Sequence, residues 1–167
     1  MELVGRMMDG SIPFDPKGAL QPSAGPPIGQ DEKIDRLQEV PIFQGCTARQ
    51  LRAVARITGV FDAPAGTALT RAGEPGREFY FILDGSARVE VSPRKRLHIG
   101  PNDFFGEMSL LDGEPRSATV VAETPLRVLV ISGKHFEALL KEVPELARNI
   151  MATLSRRVRQ AEKALNV

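Results

Sequence analysis

Residues 104–120 read FFGEMSLLDGEPRSATV, with Gly106 and Glu107 at one end and Arg116, Ser117 and Ala118 at the other. A core strand has no use for a carboxylate, a guanidinium and turn residues at that density, whereas a binding loop does. Glu107 to Leu111 have the character of one short helix, entered through Gly106 and ended by Asp112-Gly113. A helix N-terminus presents backbone N–H groups that suit an anion, and glycine at 106 lets backbone approach a ligand closely. Pro115 restricts the chain before Arg116, whose guanidinium can grip phosphate oxygens through paired bonds. Glu107 would repel a phosphate, so its natural partner is a neutral hydroxyl such as a ribose 2′-OH. The implied ligand has one compact anionic charge beside a sugar hydroxyl, and a nucleotide with a single cyclised phosphate fits. Taken alone, the two residues could equally pair with each other on a surface loop, since exposed ion pairs are common and weak.

The elements that must hold this stretch follow from periodicity. Residues 1–30 hold Pro13, Pro16, Pro22, Pro26 and Pro27 with five glycines, and read as a flexible arm with little to bury. From Asp31 to Val167 the chain reads as one domain. Ile34, Leu37 and Val40 fall at helical spacing before Pro41. Thr47 and Gln50 form a capping box ahead of Leu51, Val54 and Ile57, with Gly59 as a stop signal. Strand-like pieces between Val60 and Thr70 are broken by Pro64 and Gly66. FYFIL (79–83), Asp84-Gly85 and SARVEV (86–91) predict a tight hairpin. SPRKR (92–96) reads as a solvated polar turn into Leu97 and Ile99. Leu126 to Ile131 add a further strand.

Phe136, Leu139 and Leu140 predict a short helix ending near Val143, and Pro144 opens a longer one. Along it Met151, Leu154, Val158, Ala161 and Leu165 recur at heptad spacing. The predicted fold is mainly β with flanking α: a jelly-roll-like β-roll with N-terminal helices and a C-terminal helix pair at 134–165.

The stretch F-G-E-M-S-L, five residues, then R-S-A-T-V resembles the phosphate-binding cassette of the cyclic nucleotide-binding domain family. That family includes bacterial catabolite activator proteins, protein kinase A regulatory subunits and cyclic nucleotide-gated channels. GEPGREFYFILDG (73–85) is similar to its glycine-punctuated strand pair, and the likeness runs roughly from Ile34 to Val158. The resemblance implies a ligand site made of Gly106, Glu107, Met108, Ser109, Arg116, Ser117 and Ala118. Glu107 would accept the ribose hydroxyl, with the Gly106 backbone assisting. Arg116 would bind the exocyclic phosphate oxygens, backed by the N–H groups of Ser109 and Ala118, and the Ser117 hydroxyl would touch phosphate or base. Serine at 117, as in the bacterial activators, favours cAMP and leaves cGMP possible. Ala161 and Glu162 stand where those activators place a threonine–serine pair against adenine, so the residue capping the base is open.

Composition narrows the alternatives. A formal net charge of +1 gives no bulk pull toward nucleic acid or an anionic membrane. The single cysteine, Cys46, excludes an internal disulfide. No apolar run approaches the roughly 20 residues of a membrane helix, and MELVGRMMDG lacks the plan of a signal peptide, so the expected location is cytoplasmic. A jelly-roll metal enzyme would need clustered ligands, yet the only histidines, His98 and His135, lie far apart on different elements. The expectation is a stand-alone sensor without catalytic activity or cofactor. It would bind cAMP, signal through its C-terminal helices to an effector, and form a weak homodimer through the long helix. The alternative is a shortened relative of the transcription regulators that acts by dimerisation.

Overall fold

The computed structural model describes residues 20–23 and 28–165. Among the described residues there are nine strands: β1 Gln21–Pro22, β2 Gly59–Ala63, β3 Ala68–Thr70, β4 Glu78–Asp84, β5 Ala87–Ser92, β6 Lys95–Ile99, β7 Phe104–Phe105, β8 Thr119–Ala122 and β9 Leu126–Ser132. They form two antiparallel sheets, one ordered β1-β2-β9-β4-β7 and the other β3-β8-β5-β6. The helices are α1 Gln30–Gln38, α2 Ala48–Ile57, α3 Glu107–Asp112, α4 Gly133–Glu142 and α5 Pro144–Leu165, with a 3-10 turn at Pro41–Phe43. This is the β-roll with flanking helices that the sequence predicts.

Strands β4 and β9 are central because both of their faces are apolar. Phe79, Phe81 and Leu83 of β4 and Leu129 and Ile131 of β9 face the helices. Tyr80 and Ile82, with Leu126, Val128 and Val130, face the second sheet instead. Phe79 stacks on Phe136 of α4 at 4.9 Å, and Phe81 on Phe43 of the 3-10 turn at 5.2 Å. Full burial of each such ring contributes roughly 1.5–3 kcal/mol, so these contacts fix the helices to one face of the sheet.

That double burial corrects the predicted hairpin. Strand β4 pairs with β7 and β9, and β5 pairs with β6 and β8, so the chain crosses between sheets at Asp84-Gly85. Gly85, at φ 93°, makes the corner, where a Cβ would lie 2.3 Å from the Pro125 carbonyl. The tight hairpin is β5–β6 instead, closed by Pro93-Arg94 between the paired Ser92 and Lys95.

The helices at the start follow their signals closely. Thr47 Oγ1 accepts from the Gln50 amide at 3.1 Å and Gln50 Oε1 from the Thr47 amide at 2.8 Å, closing the capping box. Gly59 does not cap α2: the helix stops at Ile57 and Gly59 is already the first residue of β2. The open helix end is satisfied by Lys33, whose Nζ donates to the carbonyls of Ala55 at 3.3 Å and Thr58 at 2.8 Å. Burial pulls the Lys33 pKa down.

Most of the segment read as an arm lies outside the described residues. Within it, Leu20 is buried, and Gln21 and Pro22 pair with Asp62 and Phe61 at the edge of the first sheet.

Helix α5 has two unlike halves. Leu146 and Ile150 are buried, and Asn149 Nδ2 donates to the carbonyls of Ile42 at 2.9 Å and Gln44 at 2.7 Å. From Ser155 to Leu165 every residue is exposed. The heptad seam runs along the border between the covered and the exposed face. Leu154 packs partly on the core and Ala161 faces a cavity, while Met151, Val158 and Leu165 point to solvent.

Candidate functional site

Between α3, the β5–β6 hairpin and the second half of α5 lies a cavity of about 470 Å³. Gly106, Glu107, Met108, Ser109, Arg116, Ser117 and Ala118 all line it. The seven candidate residues are therefore brought together, although Arg116 stands ten positions beyond Gly106 in the chain.

Gly106 is the geometric pivot. It precedes α3 at φ 94°, a region that residues with a Cβ rarely adopt. A Cβ there would lie 2.7 Å from the Glu78 carbonyl and 2.9 Å from Arg116 Nη1. The first-turn amides of α3 lack intrahelical acceptors and remain available to an anion. Gly113, also left-handed, closes the helix by donating its amide to the Ser109 carbonyl at 3.0 Å.

Arg116 is held before any ligand arrives. Its Nη1 donates to the Gly106 carbonyl and its Nη2 to the Glu78 carbonyl, both at 2.9 Å. The Glu78 carboxylate lies 3.7 Å from Nη2, and the guanidinium sits over the Tyr80 ring at 5.9 Å. A guanidinium has five N–H donors, so those not spent on these carbonyls can face the cavity. Burial pushes the Glu78 carboxyl above the usual carboxylate range, and the nearby Arg116 charge pulls it partly back. Gly76 makes the space: a Cβ there would lie 2.5 Å from Arg116 Nε and 2.7 Å from Ser109 Cβ.

Glu107 does not pair with Arg116. Its carboxylate is buried, and Oε1 accepts from Arg157 Nη1 of α5 at 2.6 Å. The Arg157 guanidinium also lies over the Phe104 ring at 4.9 Å. Glu107 has a second oxygen for a further donor. Ser117 Oγ donates weakly to Met108 Sδ at 3.7 Å, and Thr70 Oγ1 donates to the Ala118 carbonyl at 3.1 Å.

Glu78, Gly76 and Arg157 were not among the residues singled out for the site. Arg157 stands fifty positions beyond Glu107, outside the cassette. The signal that finds it is its register: counted from Leu146 and Ile150, position 157 returns to the inward face of α5. Glu162, one of the two positions left open for the base, lies on the opposite side, in a shallow groove with Met151 and Val158.

A model of the cyclic nucleotide-binding domain family matches residues 60–143, half of the chain. The chain belongs to the cyclic nucleotide-binding domain family. Its members are ligand sensors rather than catalysts. A cyclic nucleotide-gated potassium channel of Mesorhizobium japonicum is 40% identical over 108 residues, covering 65% of this chain and 30% of the channel. The chain thus spans about a third of the length of such channel relatives. The solved catabolite activator protein of Thermus thermophilus superposes with a TM-score of 0.69 at 29% identity, covering 75% of this chain and 62% of that one. The regulatory domain of Toxoplasma gondii protein kinase A, solved with cAMP, gives 0.66 at 26% identity, covering 78% of this chain and 50% of that one. Among the described residues, no helix is long and apolar enough to cross a membrane, and no three His, Cys, Asp or Glu side chains gather as a metal site.

Proposed function

We propose that this cyclic nucleotide-binding domain is a cytoplasmic sensor of cAMP, with cGMP as a second ligand, that signals by moving the exposed half of α5. The observation that carries the reading is the placement of Arg116, Glu107 and Arg157 on one cavity, with Arg157 supplied by α5. Arg116 and the amides of Ser109 and Ala118 would take the cyclic phosphate, and Glu107 the ribose 2′-OH through its second oxygen. A ligand seated on Glu107 changes the carboxylate that holds Arg157, and so changes the only ion pair between α5 and the cassette among the described residues. The Toxoplasma neighbour with cAMP bound supports cAMP as the first ligand to test.

A second element of the reading is a weak homodimer. Met151, Val158 and Leu165 form an exposed stripe at seven-residue spacing on the outward face of α5, which suits pairing with another copy. The inward face closes over the cavity, so lid and dimer contact use different sides of one helix.

Calorimetric titration with cAMP and cGMP tests the assignment. One saturable site per chain, with neither nucleotide hydrolysed, is the expected result. No binding of either nucleotide would refute it.

A further inference from the structure

One buried carboxylate beside the cavity has no part in the proposed binding. Glu78 does not line the cavity. It stands behind Arg116, with Oε2 3.7 Å from Nη2 and its side chain 15% exposed. The short bond between the two residues is made by the Glu78 carbonyl, at 2.9 Å, and a second bond to Arg116 by the Gly106 carbonyl. Arg116 is therefore held by backbone whether or not the carboxylate is there, and what the carboxylate adds is charge. Burial raises the Glu78 carboxyl, and Arg116, Arg77 and the Tyr80 hydroxyl at 3.5 Å draw it partly back. On β9 the residue opposite is Ser132, which carries no charge. Helix α4 follows that serine with Lys134 and His135 in its first turn, and β7 brings only Phe104 and Phe105. Helix α3 brings Glu107, already paired with Arg157. Across cassette and lid, the charges of Arg116 and Arg157 are thus balanced by those of Glu78 and Glu107.

Resting on the cyclic nucleotide reading above, we propose that Glu78 matches the site to a single negative charge, a cyclic phosphodiester rather than a linear phosphomonoester. Opening the cAMP ring with water gives 5′-AMP, which has the same base and sugar. Opening adds the atoms of one water, whose share of liquid volume is about 30 Å³. A cavity of about 470 Å³ does not separate the two by size. Charge does. The diester keeps one negative charge, whereas a phosphomonoester approaches two at neutral pH, because its second pKa is about 6. Coulomb energy is linear in charge, so Arg116 alone would favour the dianion twice as strongly. The carboxylate behind it acts with the opposite sign by the same rule, and takes from the dianion twice what it takes from the monoanion. The site then senses the intact ring even where the opened product is abundant.

Calorimetric titration of wild type and Glu78→Gln with cAMP and 5′-AMP at about pH 7.5, where the monoester is a dianion, tests this. Glutamine keeps the size of the side chain and the backbone carbonyl that holds Arg116. Each ligand is compared between variant and wild type, so differences in ligand shape cancel. Glu78→Gln should tighten cAMP about threefold and 5′-AMP about tenfold, twice the gain on a logarithmic scale. A second measurement needs no variant. Coupling between two sites is reciprocal, so a bound anion raises further the carboxyl that burial has already raised. Titrating wild type with cAMP at about pH 6, in buffers of different ionisation enthalpy, should therefore show net proton uptake. Affinity should rise as pH falls toward the carboxylate range. His135 is common to both proteins, so a flatter profile in Glu78→Gln assigns the proton to Glu78. Equal gains for the two ligands (none included), weaker binding of both, or no proton uptake by wild type overturns the inference and leaves the cyclic nucleotide site in place. Failure of wild type to bind cAMP overturns both.

Discussion

Two arginines face the same cavity in opposite circumstances. Arg116 is 7% exposed and is held by two backbone carbonyls and a neighbouring carboxylate. The side chain of Arg157 is 47% exposed, sits on a helix half without buried residues, and is held by one carboxylate. Backbone carbonyls cannot rotate away, so Arg116 is fixed wherever the cassette is folded, and a fixed donor costs little ordering when an anion binds. Arg157 can leave Glu107 for water at modest cost. Such a weakly held element is what a switch requires, because regions that move are drawn from the least stable part of a fold. One end of the cavity is built to bind and the other to respond.

The largest expected effect tests the fixed end. Truncating one partner of a desolvated charge pair costs about 2–5 kcal/mol, so Arg116→Ala should weaken cAMP by roughly 30-fold or more in calorimetry. It should also strip Glu78 of the charge that offsets its burial, raising that carboxyl further. A folded-state carboxyl above its unfolded value binds more protons when folded, so stability falls as pH rises through the interval between the two values. Thermal melts of the variant should therefore drop more steeply than those of wild type above the ordinary carboxylate range. Affinity unchanged in Arg116→Ala would remove the phosphate assignment.

The fixed end was also the legible end. Gly106, Glu107 and Arg116 lie within one short stretch, and the helix between them is announced by glycines at both ends. Contiguity lets local signals settle geometry. The responsive end could not be read this way, because Arg157 meets Glu107 across 50 positions of sequence. Heptad spacing drew attention to the seam as one unit and hid that Ala161 at its edge faces the cavity, while Leu154 packs partly on the core and Met151 and Val158 face solvent. Asp84-Gly85 failed for a related reason. The dipeptide reports a sharp bend and says nothing about whether the strands it joins pair. The five consecutive apolar residues of FYFIL carried the missing information. A strand buried on both faces is flanked by partners on both sides, and the alternating ARVEV beside it belongs to another sheet.

A middle-sized effect tests the coupling between the two ends. Glu107→Ala should weaken cAMP about three- to tenfold, the scale of one hydrogen bond, and should erase any preference of cAMP over 2′-deoxy-cAMP. Arg157→Ala leaves a buried carboxylate without its cation, and should weaken cAMP by a similar factor while blunting any ligand-dependent protection of α5 amides from hydrogen exchange. If Arg157 acts through Glu107, the double variant will lose less than the product of the single losses, since contacting residues are coupled by about 0.5–3 kcal/mol. Strict additivity would mean that Arg157 senses the ligand by another route.

The smallest effect on binding should come from the outward face of α5, and it separates lid from dimer. Val158 is exposed beside Arg159 and Glu162 in a shallow groove that shares no residue with the cavity lining. A glutamate there disturbs no core contact, so Val158→Glu should leave cAMP affinity within about twofold, as for surface substitutions generally. If the stripe pairs with a second copy, two added charges meet across the two-fold axis, and an interface this short has little area to offset them. Sedimentation should then show the variant as a monomer at concentrations where wild type is heavier. Leu154→Glu is the less informative change, because Leu154 also packs on the core and would lower mass and stability together. Wild type that sediments as a monomer at high concentration, with and without cAMP, leaves α5 as a lid alone, and Val158→Glu would then change neither mass nor binding.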